Sequence, residues 1–184
     1  ATFNPASIAV DNDVTLTMLA SQANGETITG AGTVIVESLA NDTNLANVST
    51  TNLTLQLAGD VTYTGSVHGT PAITLDTDND TTARAINITG ATFNPASIAV
   101  DNDVTLTMLH SQATAETITG AGSVIVTGTG ATTVNLANVT ANIDISGVNS
   151  GGAITTLTYG TIGGSQTVTL TGAQASGKTI SGTG

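Results

Sequence analysis

Residues 1–36, ATFNPASIAVDNDVTLTMLASQANGETITGAGTVIV, return at residues 91–126 with four changes. These are Ala20 to His110, Asn24 to Thr114, Gly25 to Ala115 and Thr33 to Ser123. A duplication at a fixed offset limits the chain to architectures that can be extended by copying: tandem domains or stacked coils. The repeat runs past residue 36, because Asn44-Leu-Ala-Asn-Val48 returns as Asn135-Leu-Ala-Asn-Val139. A diverged third copy starts at Val168-Thr-Leu-Thr171 and closes on Thr179-Ile-Ser-Gly182. The step from Val104 to Val168 is clearly shorter than the step from Val14 to Val104.

That unequal step separates the two architectures. Tandem immunoglobulin-like β-sandwiches, 1–90 and 91–184, are the alternative. A sandwich cannot be shortened by so much and keep its register, whereas a solenoid can drop a whole coil. Strand signals are dense and helix signals almost lacking. Val14-Thr-Leu-Thr-Met-Leu19 alternates apolar and polar residues, and similar runs recur at Leu53–Leu57, Ile73–Leu75, Val104–Thr107, Val124–Val126 and Val168–Thr171. Thr and Val favour extended backbone because branching at Cβ fits a pleated surface. The strongest helical stretch, Met18 to Ala23, is about one turn. Followed at one phase, Val14, Val34, Leu53 and Ile73 are spaced about 20 residues apart, and the next step, from Ile73 to Val104, is about half as long again. The second series, Val104, Val124, Ile143 and Val168, keeps the same spacing and again lengthens at its last step.

These spacings predict an all-β fold, a parallel β-solenoid (β-helix) with coils of about 20 residues and one long loop before each restart. The expected organisation is one array over 1–184, with units 1–90, 91–154 and a diverged 155–184. Each coil buries only a few aliphatic side chains, worth roughly 1.5–3 kcal/mol apiece when fully buried. Stability must then come from stacking, and uncapped end coils template further strands. Because the chain begins with one copy and closes partway through a related one, the expectation is a fragment or processed piece of a longer repetitive protein.

Composition narrows the function classes. Charged residues make up 8% and aromatics 2%, so the core is built from Val, Ile, Leu and Ala. The net charge of −11, with Arg84 and Lys178 the only Lys or Arg residues, leaves no basic patch for nucleic acid and disfavours anionic membranes. No apolar run approaches the roughly 18 residues of a membrane helix, so no membrane insertion is expected. The absence of Cys removes thiol catalysis and disulfides.

The sharpest local feature is Leu75-Asp-Thr-Asp-Asn-Asp-Thr-Thr82. Asp76, Asp78 and Asp80 at alternate positions resemble the start of an oxygen-ligand calcium loop, and they are the candidate metal residues. The glycine and distal glutamate of such a loop are missing, and an acidic turn neutralised in part by Arg84 is the plainer reading. Calcium is accordingly the one cofactor the sequence leaves open. Asp11-Asn-Asp13 and Asp101-Asn-Asp103 each lie between Ile-Ala-Val and Val-Thr-Leu-Thr and read as tight turns between two strands. Thr-x-Thr pairs such as Thr15/Thr17 and Thr105/Thr107 suit a flat outer face for lateral packing against another copy. Asn-x-Ser/Thr acceptors occur at Asn41, Asn47, Asn52, Asn79, Asn87 and Asn138. His68 sits in a Gly-flanked turn and His110 replaces Ala20, which makes neither a general base; no enzyme activity is expected.

The pattern V-T-L-T…Q-A…T-I-T-G-A-G-x-V-I-V, followed by N-L-A-N-V, resembles the repeats of very large secreted bacterial or archaeal surface proteins, adhesins and surface-layer-like proteins among them. The chain departs from the calcium-binding nonapeptide family, whose G-G-x-G-x-D pattern is missing. What the resemblance implies is an extracellular, cell-surface structural protein that self-associates into a filament, stalk or coat. The alternative is an adhesin module that binds surface glycans or calcium through its long loops.

Overall fold

Thr alternating with Val, Ile or Leu makes the chain extended in short pieces, and Gly, Asn and Asp turn it between them. The computed structural model describes residues 5–77 and 80–183. The first half forms β1 (Ile8–Ala9), β2 (Thr15–Leu19), a one-turn helix α1 (Ala20–Ala23), β3 (Ile28–Glu37), β4 (Val48–Gln56), β5 (Val61–Thr62), β6 (Ala72–Asp76) and β7 (Arg84–Asn87). The second half forms β8 (Ser97–Val100), β9 (Val104–Leu109), α2 (His110–Ala113), β10 (Ile118–Thr119) and β11 (Ser123–Thr127). It closes with β12 (Thr133–Leu136), β13 (Asn142–Asp144), β14 (Thr156–Tyr159), β15 (Val168–Thr169) and α3 (Gly172–Ala175).

All the paired strands run parallel, and the chain winds as an all-β parallel solenoid of about eight turns. One seven-stranded sheet has the order β1-β3-β4-β6-β8-β10, with β2 also on β3. A six-stranded sheet has the order β15-β13-β11-β9-β7-β5, and β12 pairs with β14. Along the first sheet Leu16, Val34, Leu53, Ile73, Ile98 and Ile118 form one ladder. Along the second, Val61, Ile86, Leu106, Val124, Ile143 and Val168 form another. Most of these side chains point inward and are buried, as are Tyr63, Leu75 and Met108. A core one or two aliphatic side chains thick cannot stabilise a coil alone; the ladders between coils supply the rest.

The coil period of about 20 residues agrees with the sequence reading, but the long step from Ile73 straight to Val104 does not exist. Ile98, which the chain reaches before Val104, takes the place expected for that valine. Ser97-Ile-Ala-Val100 is itself an alternating strand with Ile98 and Val100 buried, so it fills the first sheet before Val104 is reached. β9 then falls on the six-stranded sheet, although its counterpart β2 lies on the seven-stranded one. Each copy nevertheless keeps its own register. Ile8 stacks on Ile28 as Ile98 stacks on Ile118, and Leu16 on Val34 as Leu106 on Val124. The two copies are therefore the same local object, set one face apart around the solenoid.

The Gly-Ala-Gly corner explains why this register repeats. Gly30 and Gly120 have φ of +124° and +108°, and a Cβ on either would lie 2.1 Å from the carbonyl oxygen of Val10 or Val100. Only glycine lets the chain turn that tightly against the neighbouring coil. The Asp-Asn-Asp segments are turns, as expected: Val14 N–H donates to the Asp11 carbonyl at 3.1 Å and Val104 N–H to that of Asp101 at 2.9 Å. Among the described residues no helix is long and apolar enough to cross a membrane.

Candidate functional site

Asp76 ends β6, and its carboxylate accepts the Thr77 N–H at 2.7 Å and the Gln56 amide at 3.2 Å. Asp80 accepts the Thr82 N–H and hydroxyl at 3.0 and 2.7 Å and pairs with the Arg84 guanidinium at 3.0 Å. Those Thr82 bonds, with the Arg84 charge behind them, hold its carboxyl below the usual range. Asp78 lies outside the described residues. Among the described residues no group of three or more His, Cys, Asp or Glu side chains is placed to hold a metal ion. The sequence-predicted turn is thus laced by its own hydrogen bonds, and Arg84 neutralises one of its acids.

The other sequence candidates are spread over the surface. Asn41, Asn47, Asn52 and Asn138 are exposed and Asn87 is half-buried, while Asn79 lies outside the described residues. His68 is exposed, and the His110 ring nitrogen lies 3.3 Å from the Thr129 carbonyl. On the six-stranded sheet the outward side chains Thr105, Ser123 and Asn142 stand in one row. A second row holds Thr107, Ile125, Asp144 and Thr169. The result is a surface of hydroxyls and an amide around Ile125 and the Asp144 carboxylate, with a depression over these rows that Thr167 also lines.

The largest uncompensated feature is the face of the first coil. Val14 is 49% exposed, whereas Val104, the same residue in the second copy, is 1% exposed. Leu19 is 45% exposed against a half-buried Leu109, and Leu16 is half-buried against a fully buried Leu106. The second copy is covered by β6 and β7: Arg84 N–H donates to the Asp103 carbonyl at 2.8 Å and Ile88 N–H to that of Thr107 at 2.9 Å. β2 pairs only with β3, so among the described residues no strand lies on the matching edge of Asp13 and Thr17.

A recurring glutamine marks the same difference. Gln22, Gln112 and Gln174 each accept, through Oε1, the N–H that opens their one-turn helix, from Leu19 at 2.9 Å, Leu109 at 2.8 Å and Thr171 at 2.9 Å. The Gln112 amide then donates to the Ile88 and Ala91 carbonyls of the coil beneath, at 2.8 and 3.0 Å. Gln174, fully buried, does the same to Ile145 and Val148 at 2.8 and 3.1 Å. Each latch reads a turn, since Ala91 N–H bonds Ile88 O and Val148 N–H bonds Ile145 O. The Gln22 amide N–H groups have no partner among the described residues. The sequence contained the signal, one Gln at a fixed place in all three copies, but the alternation of apolar residues did not single it out.

Tyr63 is buried and Tyr159 half-buried. Tyr63 stacks on Phe93 with centroids 5.5 Å apart, and burial pushes its phenol up to about 12 against a smaller pull from the Leu45 backbone. The Tyr159 phenol is pushed well above its ordinary value by burial alone, and its hydroxyl has no partner among the described residues.

No protein-family model, no curated protein and no solved structure matches this chain.

Proposed function

We propose that this chain is a structural protein of a microbial surface, an extracellular segment that self-associates into a filament, stalk or coat. The observation that supports it most is the unbroken stacking of near-identical coils: the ladder of Leu16, Val34, Leu53, Ile73, Ile98 and Ile118 runs through both copies of the repeat. The molecule is repeated building material, and its outward Thr, Ser and Asn rows suit contact between copies. Low charge and Thr- and Asn-rich composition fit an exposed coat, and the repeat pattern resembles secreted surface proteins. Negative-stain microscopy together with sedimentation of the purified chain tests the reading. Ordered filaments or sheets growing with concentration are expected; strictly monomeric particles at high concentration contradict it.

A further inference from the structure

We infer that Asn138 is an acceptor for an N-linked glycan, with the Thr140 hydroxyl as the second half of its recognition signal. This goes beyond the proposed surface role and rests on it only for the chain's meeting a transferase. The signal Asn-x-Ser/Thr occurs six times, and the letters alone do not rank the occurrences. The fold ranks them. The Asn41 side-chain oxygen accepts the Thr62 N–H at 2.8 Å, and the buried Thr43 hydroxyl accepts the Ala40 N–H at 3.2 Å. The Asn87 oxygen accepts both the N–H and the hydroxyl of Thr89, at 2.9 and 2.8 Å, so the two halves of that signal occupy each other. Asn52 lies inside β4, whose ladders to β3 and β6 hold its backbone on both sides. Asn79 lies outside the described residues.

The remaining two signals occupy the same place in the two copies. Asn44-Leu-Ala-Asn-Val-Ser49 and Asn135-Leu-Ala-Asn-Val-Thr140 differ only in the last residue, and both keep a hydroxyl there. The residues flanking them, Thr43 and Thr50 against Val134 and Ala141, are different. The turn accounts for most of the shared letters. Asn44 and Asn135 accept the N–H of Ala46 and Ala137 through their side chains, at 3.0 and 3.1 Å. The Leu and Val side chains of both stretches are buried. Neither need explains the second Asn or the hydroxyl. Asn138 and Thr140 are both exposed, on either side of the inward Val139, and neither side chain is hydrogen-bonded among the described residues. Ile118 holds their backbone, donating to the Asn138 carbonyl at 3.2 Å and accepting the Thr140 N–H at 2.8 Å. Both side chains are thereby fixed outward, where a bulky, solvated sugar displaces nothing in the core. Asn47 is exposed as well, but Ser49 is half-buried where the following coil passes at Gly69. Asn138 is the stronger site and Asn47 the weaker.

The donor is an oligosaccharide carried on a polyprenyl pyrophosphate. The Asn138 amide nitrogen attacks its anomeric carbon, the bond from that carbon to the pyrophosphate oxygen breaks, and the polyprenyl pyrophosphate leaves. The amide gives up one proton to a base of the transferase. The test incubates the native 1–184 chain with a purified single-subunit oligosaccharyltransferase and this donor, and reads intact mass and glycopeptides. A synthetic peptide of residues 134–144 serves as the unfolded acceptor. Glycan is expected on Asn138, at several-fold lower occupancy on Asn47, and not on Asn41 or Asn87. Thr140→Ala is expected to lower occupancy at Asn138 roughly tenfold, and Thr140→Ser to retain it. The glycosylated chain should melt within about 2 °C of the bare one, as for other changes at exposed positions. Modification of the peptide but not of Asn138 in the native chain overturns the inference, as does failure of both, or preferential modification of Asn41 or Asn87. None of these outcomes bears on self-association, which sedimentation of the unmodified chain reads separately.

Discussion

The first coil and its near-copy in the second half share almost every side chain and differ in everything their surroundings decide. Both stack Ile on Ile and Leu on Val within the copy, so this register is written locally. They sit on different faces, and Val14 is 49% exposed where Val104 is 1% exposed. A repeat in a solenoid thus specifies how it stacks on the coil after it. Its place around the axis and its burial come from the coil before it, as a nearest-neighbour array requires.

The comparison can be broken first at the corner glycine. Gly120→Ala puts a Cβ 2.1 Å from the Val100 carbonyl oxygen at φ +108°. The expected cost is about 2–4 kcal/mol, combining overpacking with backbone strain. Gly30→Ala has the same local clash but sits where the terminal coil can fray, so denaturant unfolding of the whole chain should move less. Equal effects would argue that the first coil is held as firmly as those in the middle of the array.

Next come the valines. Val104→Ala removes buried methyl groups and is expected to cost about 1–2 kcal/mol, whereas Val14→Ala should stay within about 0.5 kcal/mol in the monomer. Chemical denaturation of dilute protein reads both. A comparable loss at Val14 means the first coil is already covered.

The left-handed corner gives a smaller, reciprocal pair. Gly25, Ala115 and Gly177 hold φ of +78°, +66° and +70°, and a Cβ at Gly25 would meet nothing within 4 Å. Only backbone preference then distinguishes Gly from Ala. Ala115→Gly is expected to stabilise by about 0.5–1 kcal/mol and Gly25→Ala to destabilise by about as much. Melting temperatures moving in the same direction for both would contradict the shared conformation.

The smallest effect concerns pH. Burial raises the Glu116 carboxyl above its ordinary value, against a weaker pull from the Thr117 backbone. Because the folded state holds this proton more tightly than the unfolded one, stability from it is present at acid pH and is lost as pH rises through the folded value. Glu116→Gln should therefore raise the melting temperature slightly at neutral pH, with the gain vanishing at low pH. A gain that grows on acidification refutes the assignment.

Much of this fold is legible in the chain. Thr alternating with Val, Ile and Leu marks strands because one face of each is buried. A regular return of such strands marks coils because equivalent side chains stack. The Asp-Asn-Asp turns and the single helical turn before Ala23 follow from local chemistry. The face each strand occupies was not legible. The Ile-Ala-Val strands beside the Asp-Asn-Asp turns, β1 and β8, carry only one or two inward aliphatics each and do not enter the spacing series. Without β8 in that series Ile73 is followed by Val104, whereas the ladder runs from Ile73 to Ile98. The same limit applies to function. Asp76 and Asp80 stand out as letters, and only the structure shows their partners, Gln56 for the first and Thr82 and Arg84 for the second. The bare first coil stands out only beside its covered twin, a difference of context that two near-identical sequences cannot express.

The placement of the second copy one face round is the claim on which the rest depends, and a cross-link reads it directly. The chain has no native Cys. Ala72 and Ser97 are register partners on β6 and β8, with Cα atoms about 4.8 Å apart as in any paired ladder, within reach of a disulfide. Thr105 would be the partner of Ala72 if the two copies occupied the same face. Mild oxidation of the Ala72→Cys, Ser97→Cys double variant is predicted to form an intramolecular disulfide rapidly, and the Ala72→Cys, Thr105→Cys variant to remain reduced. Rapid closure of the 72–105 pair with a reduced 72–97 pair would contradict the account.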